Sequence, residues 1–126
     1  PTTEETVKNR LHFVKMEGNK TFKVAVSKMA EVARGAMKKA GISSEDIKLV
    51  IPHQANIRII EALARFLNVP MEKVFVNIDK IGNCSAATVP VALAQADEKG
   101  LLKKDDIVLL VAFGGGFTWA GAVIKW

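Results

Sequence analysis

Three short segments of the chain carry groups suited to holding developing negative charge. His53 follows Pro52 at the end of an apolar, β-branched run made of Ile47, Leu49, Val50 and Ile51. Asn83 stands between Gly82 and Cys84, shortly after the run FVNI at 75 to 78. Gly114, Gly115 and Gly116 follow the run IVLLVAF at 107 to 113. An imidazole N–H, a carboxamide N–H and exposed glycine N–H groups are all hydrogen-bond donors. Donors gathered around one oxygen stabilise the charge that builds there during acyl chemistry. Each group comes just past a segment that reads as a buried strand, and open α/β sheets place their ligands beyond the carboxyl ends of strands. If the strands are neighbours, the three groups converge on one sheet edge.

Taken singly, each group has a plainer reading. A lone histidine is commonly a satisfied structural residue, and an asparagine beside a glycine is commonly a turn residue. Consecutive glycines permit close backbone approach to a ligand or partner. The shared placement is what argues for chemistry. Cys84 lies at a predicted helix start, where a small residue packs, and is not read as a nucleophile. Two histidines and one cysteine show no ligand spacing, so no metal site is expected. The glycines precede a strand and no Gly-Lys-Ser/Thr follows, which argues against a phosphate loop.

The elements that would position these groups follow from periodicity. Phe22, Ala25, Val26, Met29, Ala33, Ala36, Met37 and Ala40 recur at helical spacing, predicting a first long helix over 21 to 40 that stops at Gly41. Ser43 to Asp46 makes a turn into the strand at 47. A second helix over 56 to 67 follows His53, with Ile57, Ile60, Leu63, Ala64 and Leu67 on its apolar face and Pro70 blocking its continuation. Arg58, Glu61 and Arg65 share another face, which is either a solvated, ion-paired surface or a basic docking surface. A strand is predicted at 74 to 78. A third helix over 86 to 98, capped by Ser85, begins with AATVPVALA and has almost no polar face, so something outside the chain should cover it. Pro90 early in that helix predicts a mild kink. Strands at 107 to 113 and 117 to 125 pair antiparallel across the glycines. LHFVKM at 11 to 16 is a candidate first strand, Gly18-Asn19 a turn, and residues 1 to 10 a polar lead-in. The order is then βαβαβαββ: an α/β domain over 11 to 126, with a mixed sheet of about five strands and helices on both faces.

Composition narrows the classes. The length of 126 residues with 49% apolar content suits one domain with its own core. The net charge is +5, yet the lysines are scattered and no aromatic residues interleave with a basic run. That disfavours nucleic-acid binding and suits an acidic protein or a phosphorylated ligand. Residues 107 to 124 carry no charge, but three glycines break the run, so two strands explain it better than a membrane span. Pro1 in place of Met is read as the mark of a fragment or processed product. No signal or transit pattern is evident, and the lone cysteine fits a reducing cytoplasm.

HQAN at 53 to 56, GNCSAATVP at 82 to 90 and FGGGFTWAGA at 113 to 122 resemble the carboxyl-terminal half of the β-ketoacyl-acyl-carrier-protein synthase III family, and MEGNKTFKVAV at 16 to 26 fits it as well. The resemblance covers about residues 10 to 126 and implies one half of a thiolase-like fold, two similar halves stacked in α-β-α-β-α layers. It implies a condensing acyltransferase that initiates fatty-acid synthesis. An acyl group passes from acyl-coenzyme A to a cysteine of the other half. Malonyl-carrier protein then loses carbon dioxide, and the carbanion attacks the acyl thioester. The resemblance casts His53 and Asn83 as the catalytic donors to the malonyl thioester oxygen, Gly115 as an oxyanion-hole donor and Phe113 as a pocket wall. It places Gln54, Ala55, Asn56, Ile57 and Arg58 in the carrier-protein-binding stretch, with Arg65 and Lys23 as weaker candidates. Gly18, Phe22, Ala55 and Asn56 fall near the coenzyme A arm. The family usually has Thr where this chain has Cys84, which leaves the catalytic pair intact. No cofactor is implied beyond the coenzyme A thioester and the phosphopantetheine-linked malonyl group as substrates. The implied partners are acyl carrier protein, acyl-CoA, the missing amino-terminal half and a second copy of the full-length enzyme. The fragment alone is expected to be inactive. The competing reading is a non-catalytic module that binds a carrier protein or a partner half.

Overall fold

A computed structural model describes residues 2–13 and 15–126. Its centre is a sheet of three strands in the order β1-β2-β3: β1 (Leu49–Pro52), β2 (Ile107–Gly114) and β3 (Thr118–Lys125). β1 and β2 are parallel, with Leu49 opposite Val108 and Pro52 opposite Val111. β2 and β3 are antiparallel, from the Ile107–Lys125 pair to the Gly114–Thr118 pair at the turn.

Alternation along the strands divides the core. Val50, Leu109 and Val111 face one side, Leu49, Ile51 and Val108 the other. The first side is covered by two helices, α2 (Gly18–Ala40) and α3 (Ile57–Leu67). α2 buries Ala25, Val26, Met29, Ala30 and Ala33, an apolar stripe at helical spacing. It stops at Gly41, which takes the left-handed conformation with φ 67°. α3 buries Ile59, Ile60, Ala62, Leu63, Ala64 and Leu67 and ends at a left-handed Asn68. Gly121 of β3 lies so close beneath α2 that a Cβ there would stand 2.8 Å from the Val32 carbonyl oxygen, so the α2–β3 packing requires a residue without a side chain. The second side is covered by the helix at Thr88–Glu98, through Ala92 and Ala96.

Several sequence expectations need correction. α2 begins at Gly18, so Gly18-Asn19 opens the helix instead of forming a separate turn. Residues 4 to 8, expected as an unstructured lead-in, form a short helix α1 (Glu4–Lys8), because Thr3 and Thr6 exchange backbone and hydroxyl hydrogen bonds in a capping box. No strand occupies the described part of 11 to 16, where the chain turns after Arg10 at φ 55°, and Val14 lies outside the described residues. The strand expected at 74 to 78 shrinks to one bridge between Val50 and Val74, with the Phe75 N–H donating to the Val50 carbonyl at 2.9 Å. The ladder ends there because the Asn77 N–H donates to a side chain, Gln54 Oε1, at 3.1 Å. Residues 78 to 81 then form a short helix, α4 (Ile78–Ile81).

The third predicted helix also differs at its start. Ser85–Ala87 is a 3-10 turn, and the α-helix proper, α5, runs Thr88–Glu98. Ser85, at φ 56°, is not its cap. Pro90 is the third residue of α5, where a backbone nitrogen has no partner within the helix, so the expected loss of a hydrogen bond does not arise. Glu61 forms no ion pair with Arg58 or Arg65 among the described residues.

Candidate active site

The parallel pairing of β1 with β2 brings their carboxyl ends together, and His53 is the first residue beyond β1. Its backbone N–H donates to the Val111 carbonyl at 2.8 Å, so the ladder extends one residue past the strand and fixes where the ring emerges. The half-buried ring lines an open cleft of about 290 Å³ together with Ser85, Thr88, Phe113, Gly114 and Trp119. Three segments far apart in sequence, around 53, 85 to 89 and 112 to 120, thus line one cleft. Burial holds the His53 imidazole below its ordinary pKa of 6.5, so the ring is neutral at physiological pH. A neutral imidazole offers one N–H and one lone pair.

Nδ1 of His53 is hydrogen-bonded to the hydroxyl oxygen of Thr88, which is fully buried at the start of α5. With Nδ1 occupied, Nε2 is the ring atom left for chemistry. Thr88 was not singled out from the sequence. It is the one polar residue in the run AATVPVALA, and a hydroxyl in an otherwise apolar run is the signal that marks it.

Asn83 is exposed and does not line the cleft itself. Its Oδ1 accepts the Ser85 N–H at 2.9 Å. That bond leaves the carboxamide N–H groups as the free polar end, one residue pair away from Ser85 in the cleft wall. The short helix α4 and Gly82 at φ 65° turn the chain into this loop, so Asn83 follows a helix and not the strand that the sequence suggested.

The glycine hairpin closes the other side. Gly114 pairs with Thr118, leaving Gly115, Gly116 and Phe117 as the exposed turn. Gly116 sits at φ 135°, a region that side chains disfavour, and a Cβ there would lie 3.0 Å from the Thr118 methyl carbon. The Thr118 hydroxyl donates to the Gly115 carbonyl at 3.2 Å. Phe113 is half-buried in the cleft wall, its ring 5.0 Å from that of Phe117.

The stretch after His53 divides between two duties. Gln54 was expected to meet a carrier protein, but it is completely buried and cannot. Its Nε2 donates to the Pro52 and Phe75 carbonyls at 2.9 and 3.1 Å, and its Oε1 accepts the Asn77 N–H. Asn77 Nδ2 in turn donates to Gln95 Oε1 at 3.0 Å, tying the end of β1 to α5. Asn56, exposed, caps α3 by accepting the Arg58 N–H at 2.9 Å. Ala55 is half-buried, and Ile57, Arg58, Arg65, Lys23 and Gly18 are exposed. The Arg58 guanidinium lies 5.9 Å over the Phe22 ring, which places the starts of α2 and α3 side by side. Among the described residues there is no cluster of three or more metal-ligating side chains, and no helix is long and apolar enough to cross a membrane.

Comparison with known proteins decides the family. Residues 37–126 match the model for the 3-oxoacyl-[acyl-carrier-protein (ACP)] synthase III C terminal family. The chain belongs to that family. It is 56% identical over 126 residues to the β-ketoacyl-[acyl-carrier-protein] synthase III of Roseiflexus sp. (strain RS-1), covering all of this chain and 38% of that protein. The synthase of Clostridioides difficile (strain 630) is 52% identical over 124 residues, again 38% of its length. The crystal structure of 3-oxoacyl-[acyl-carrier-protein] synthase III from Aquifex aeolicus VF5 superposes with a TM-score of 0.90 at 51% identity, over 92% of this chain and 38% of that one. The Pseudomonas aeruginosa PAO1 enzyme gives 0.90 at 34% identity over the whole chain. The fold is therefore that of this synthase family, with a mixed sheet and helices on both faces, and the chain spans 38% of the length of these relatives. Among the described residues the sheet has three strands, not about five.

Proposed function

We propose that these residues supply the malonyl-handling side of a condensing acyltransferase, which joins an acyl group to malonyl-acyl-carrier protein with loss of carbon dioxide. The observation that carries this reading is His53: a neutral imidazole in a cleft at the carboxyl ends of β1 and β2, with Nδ1 engaged and Nε2 left over. Membership of the synthase family supports the same reaction class.

In this reading the carbon–carbon bond to the malonyl carboxylate breaks, carbon dioxide leaves, and the electron pair moves toward the thioester oxygen. His53 Nε2–H and the Asn83 carboxamide donate to that oxygen as it becomes an enolate. No proton need move at this step, so a neutral histidine suffices. The enolate carbon then attacks an acyl thioester on a cysteine contributed by another part of the synthase, the Gly115 N–H meets the charge on the acyl oxygen, and the carbonyl re-forms as the carbon–sulfur bond breaks and the cysteine leaves as thiolate. The product is a 3-ketoacyl-carrier protein, the first condensation of fatty-acid synthesis. Each donor removed typically lowers rate by about 10²- to 10³-fold. Phe113 bounds the acyl end of the cleft. Arg58, with Arg65 and Lys23, offers positive charge on exposed surface beside α2 and α3 to an acidic carrier protein. Ala55, Asn56 and Ile57 flank that surface, and Phe22 and Gly18 border the approach of the coenzyme A arm. Gln54 takes no part in docking and holds the loop.

The test is malonyl-carrier decarboxylation by a full-length synthase carrying these 126 residues as its carboxyl-terminal part. His53→Ala and Asn83→Ala should each lower it by about 10²-fold or more, and Cys84→Ser should leave it unchanged. Normal turnover by either of the first two variants would overturn the assignment. The 126 residues alone should form no ketoacyl product in a single-turnover assay.

A further inference from the structure

One buried hydroxyl stands between the two donor side chains. Thr88 Oγ1 is bonded to His53 Nδ1 and also lies 3.0 Å from the Ser85 carbonyl oxygen. The Ser85 N–H, on the same residue, donates to Asn83 Oδ1 at 2.9 Å. The residues from 83 to 88 therefore grip both candidate donors, one at each end.

The Thr88 hydroxyl has a single proton and faces two acceptors. If the proton goes to the Ser85 carbonyl, the Thr88 oxygen must accept from Nδ1–H. The neutral ring then turns a lone pair toward the cleft. If the proton goes to Nδ1, the ring carries its own proton on Nε2 and presents a donor there. The same contact thus permits two rings of opposite chemical character, and the hydroxyl rotor decides between them. Two considerations favour the second. Ser85 belongs to an exposed turn, whereas Thr88 is fully buried where it meets Nδ1. The Nε2–H form is also the intrinsically preferred tautomer of a neutral imidazole.

We propose that Thr88 is a positioning residue whose hydroxyl donates to His53 Nδ1, so that the ring is fixed with its N–H on Nε2 and aimed into the cleft. The inference rests on the reading of His53 as a donor to the malonyl thioester oxygen. It adds a residue that never touches substrate yet decides whether that histidine donates or accepts. The neutral state of the ring, enforced by burial, makes the choice of tautomer consequential, because a charged ring would donate from both nitrogens.

The experiment uses the same full-length synthase. Histidine-selective nitrogen NMR, with the His53 signals assigned by their loss in His53→Gln, reads which ring nitrogen carries the proton. The expected result is protonation at Nε2 and a hydrogen-bonded, unprotonated Nδ1. Thr88→Val keeps the volume and removes the hydroxyl. It should lower kcat for malonyl-carrier decarboxylation by about 10- to 100-fold, the range for lost orienting partners, with KM for malonyl-carrier little changed. Thr88→Ser should restore most of that rate and the wild-type nitrogen signals. A proton found on Nδ1 in the resting enzyme would overturn the proposal, and so would wild-type kcat in Thr88→Val. Should Thr88→Val fail to fold, judged by its melting temperature, the wild-type NMR and Thr88→Ser still decide. The two readings fail separately. A normal His53→Ala defeats the donor role itself, whereas a crippled His53→Ala beside a normal Thr88→Val defeats only the role of Thr88.

Discussion

The two faces of the sheet are unequal. The face under α2 and α3 is a finished core, running from Met29 and Ala33 through Val50 and Leu109 to Ile60 and Leu63, all with almost no exposure. The face under α5 is thin. Leu49, Ile51, Phe75, Val108 and Leu102 meet the buried Ala92 and Ala96 of the helix, with Val89 and Leu93 only partly buried beside them, while Ala86, Ala87, Pro90 and Ala94 stay exposed. The candidate chemistry lies with the thin face, since His53 is gripped by Thr88 of α5 and Asn83 by the loop leading into it. The charged docking candidates lie with the thick one, on α2 and α3. The difference teaches a division of labour. A core closed by the chain's own helices holds β1 and β2 in place, and the groups on the open side are displayed from that rigid base.

Truncation is the strongest way to break this comparison. Ile60→Ala on the thick face should cost about 2 to 5 kcal/mol in urea unfolding of the 126-residue chain, because the packed surroundings cannot collapse into the hole. Leu102→Ala on the thin face should fall at or below about 2 kcal/mol, since fewer neighbours surround it. Equal losses would show that the faces are equally packed.

A smaller effect is expected at the joint between them. Gln54→Leu strands the Pro52 and Phe75 carbonyls and the Asn77 N–H, and an unsatisfied buried polar group costs about 1 to 3 kcal/mol. The melting temperature should fall clearly, while the rim surface around Arg58 is left as it was. A variant with unchanged stability and lost carrier binding would return Gln54 to the docking surface.

The smallest effect is one of pH. The folded-state pKa of His53 lies below the unfolded value near 6.5, so between the two the unfolded chain binds more protons. Stability should therefore be unaffected by this group above 6.5 and should fall as pH drops below it, until the folded ring is protonated as well. Urea midpoints across that range should slope more steeply for the wild type than for His53→Gln. Parallel slopes would place the ring in water.

Much of this layout was legible in residue types. The apolar period of α2 and α3, the stop at Gly41 and the glycine turn between β2 and β3 depend on local preferences that dominate wherever the chain packs on itself. The segment 74 to 78 was not legible, because Val74 and Phe75 suit a strand but the Gln54 side chain replaces the next ladder partner of Asn77. No local pattern reveals such a substitution. The same holds for the site. The placement of His53 past a buried strand could be read directly, and so could its sharing a sheet edge with the glycines. The pairing of Thr88 with His53 could not, since the two are 35 residues apart and only tertiary packing brings them together. Gln54 was put on the docking surface by the family resemblance alone, which covers the stretch from 54 to 58 as a unit, while its side chain satisfies backbone groups that the strand end leaves open.

The most direct test of the central claim is a crystal structure of the full-length synthase carrying these residues, bound to a non-hydrolysable malonyl-thioester analogue. The account predicts the thioester oxygen within hydrogen-bond distance of both His53 Nε2 and Asn83 Nδ2, in the cleft bounded by Phe113. An analogue whose oxygen is held by other residues, with His53 and Asn83 pointing elsewhere, would contradict it.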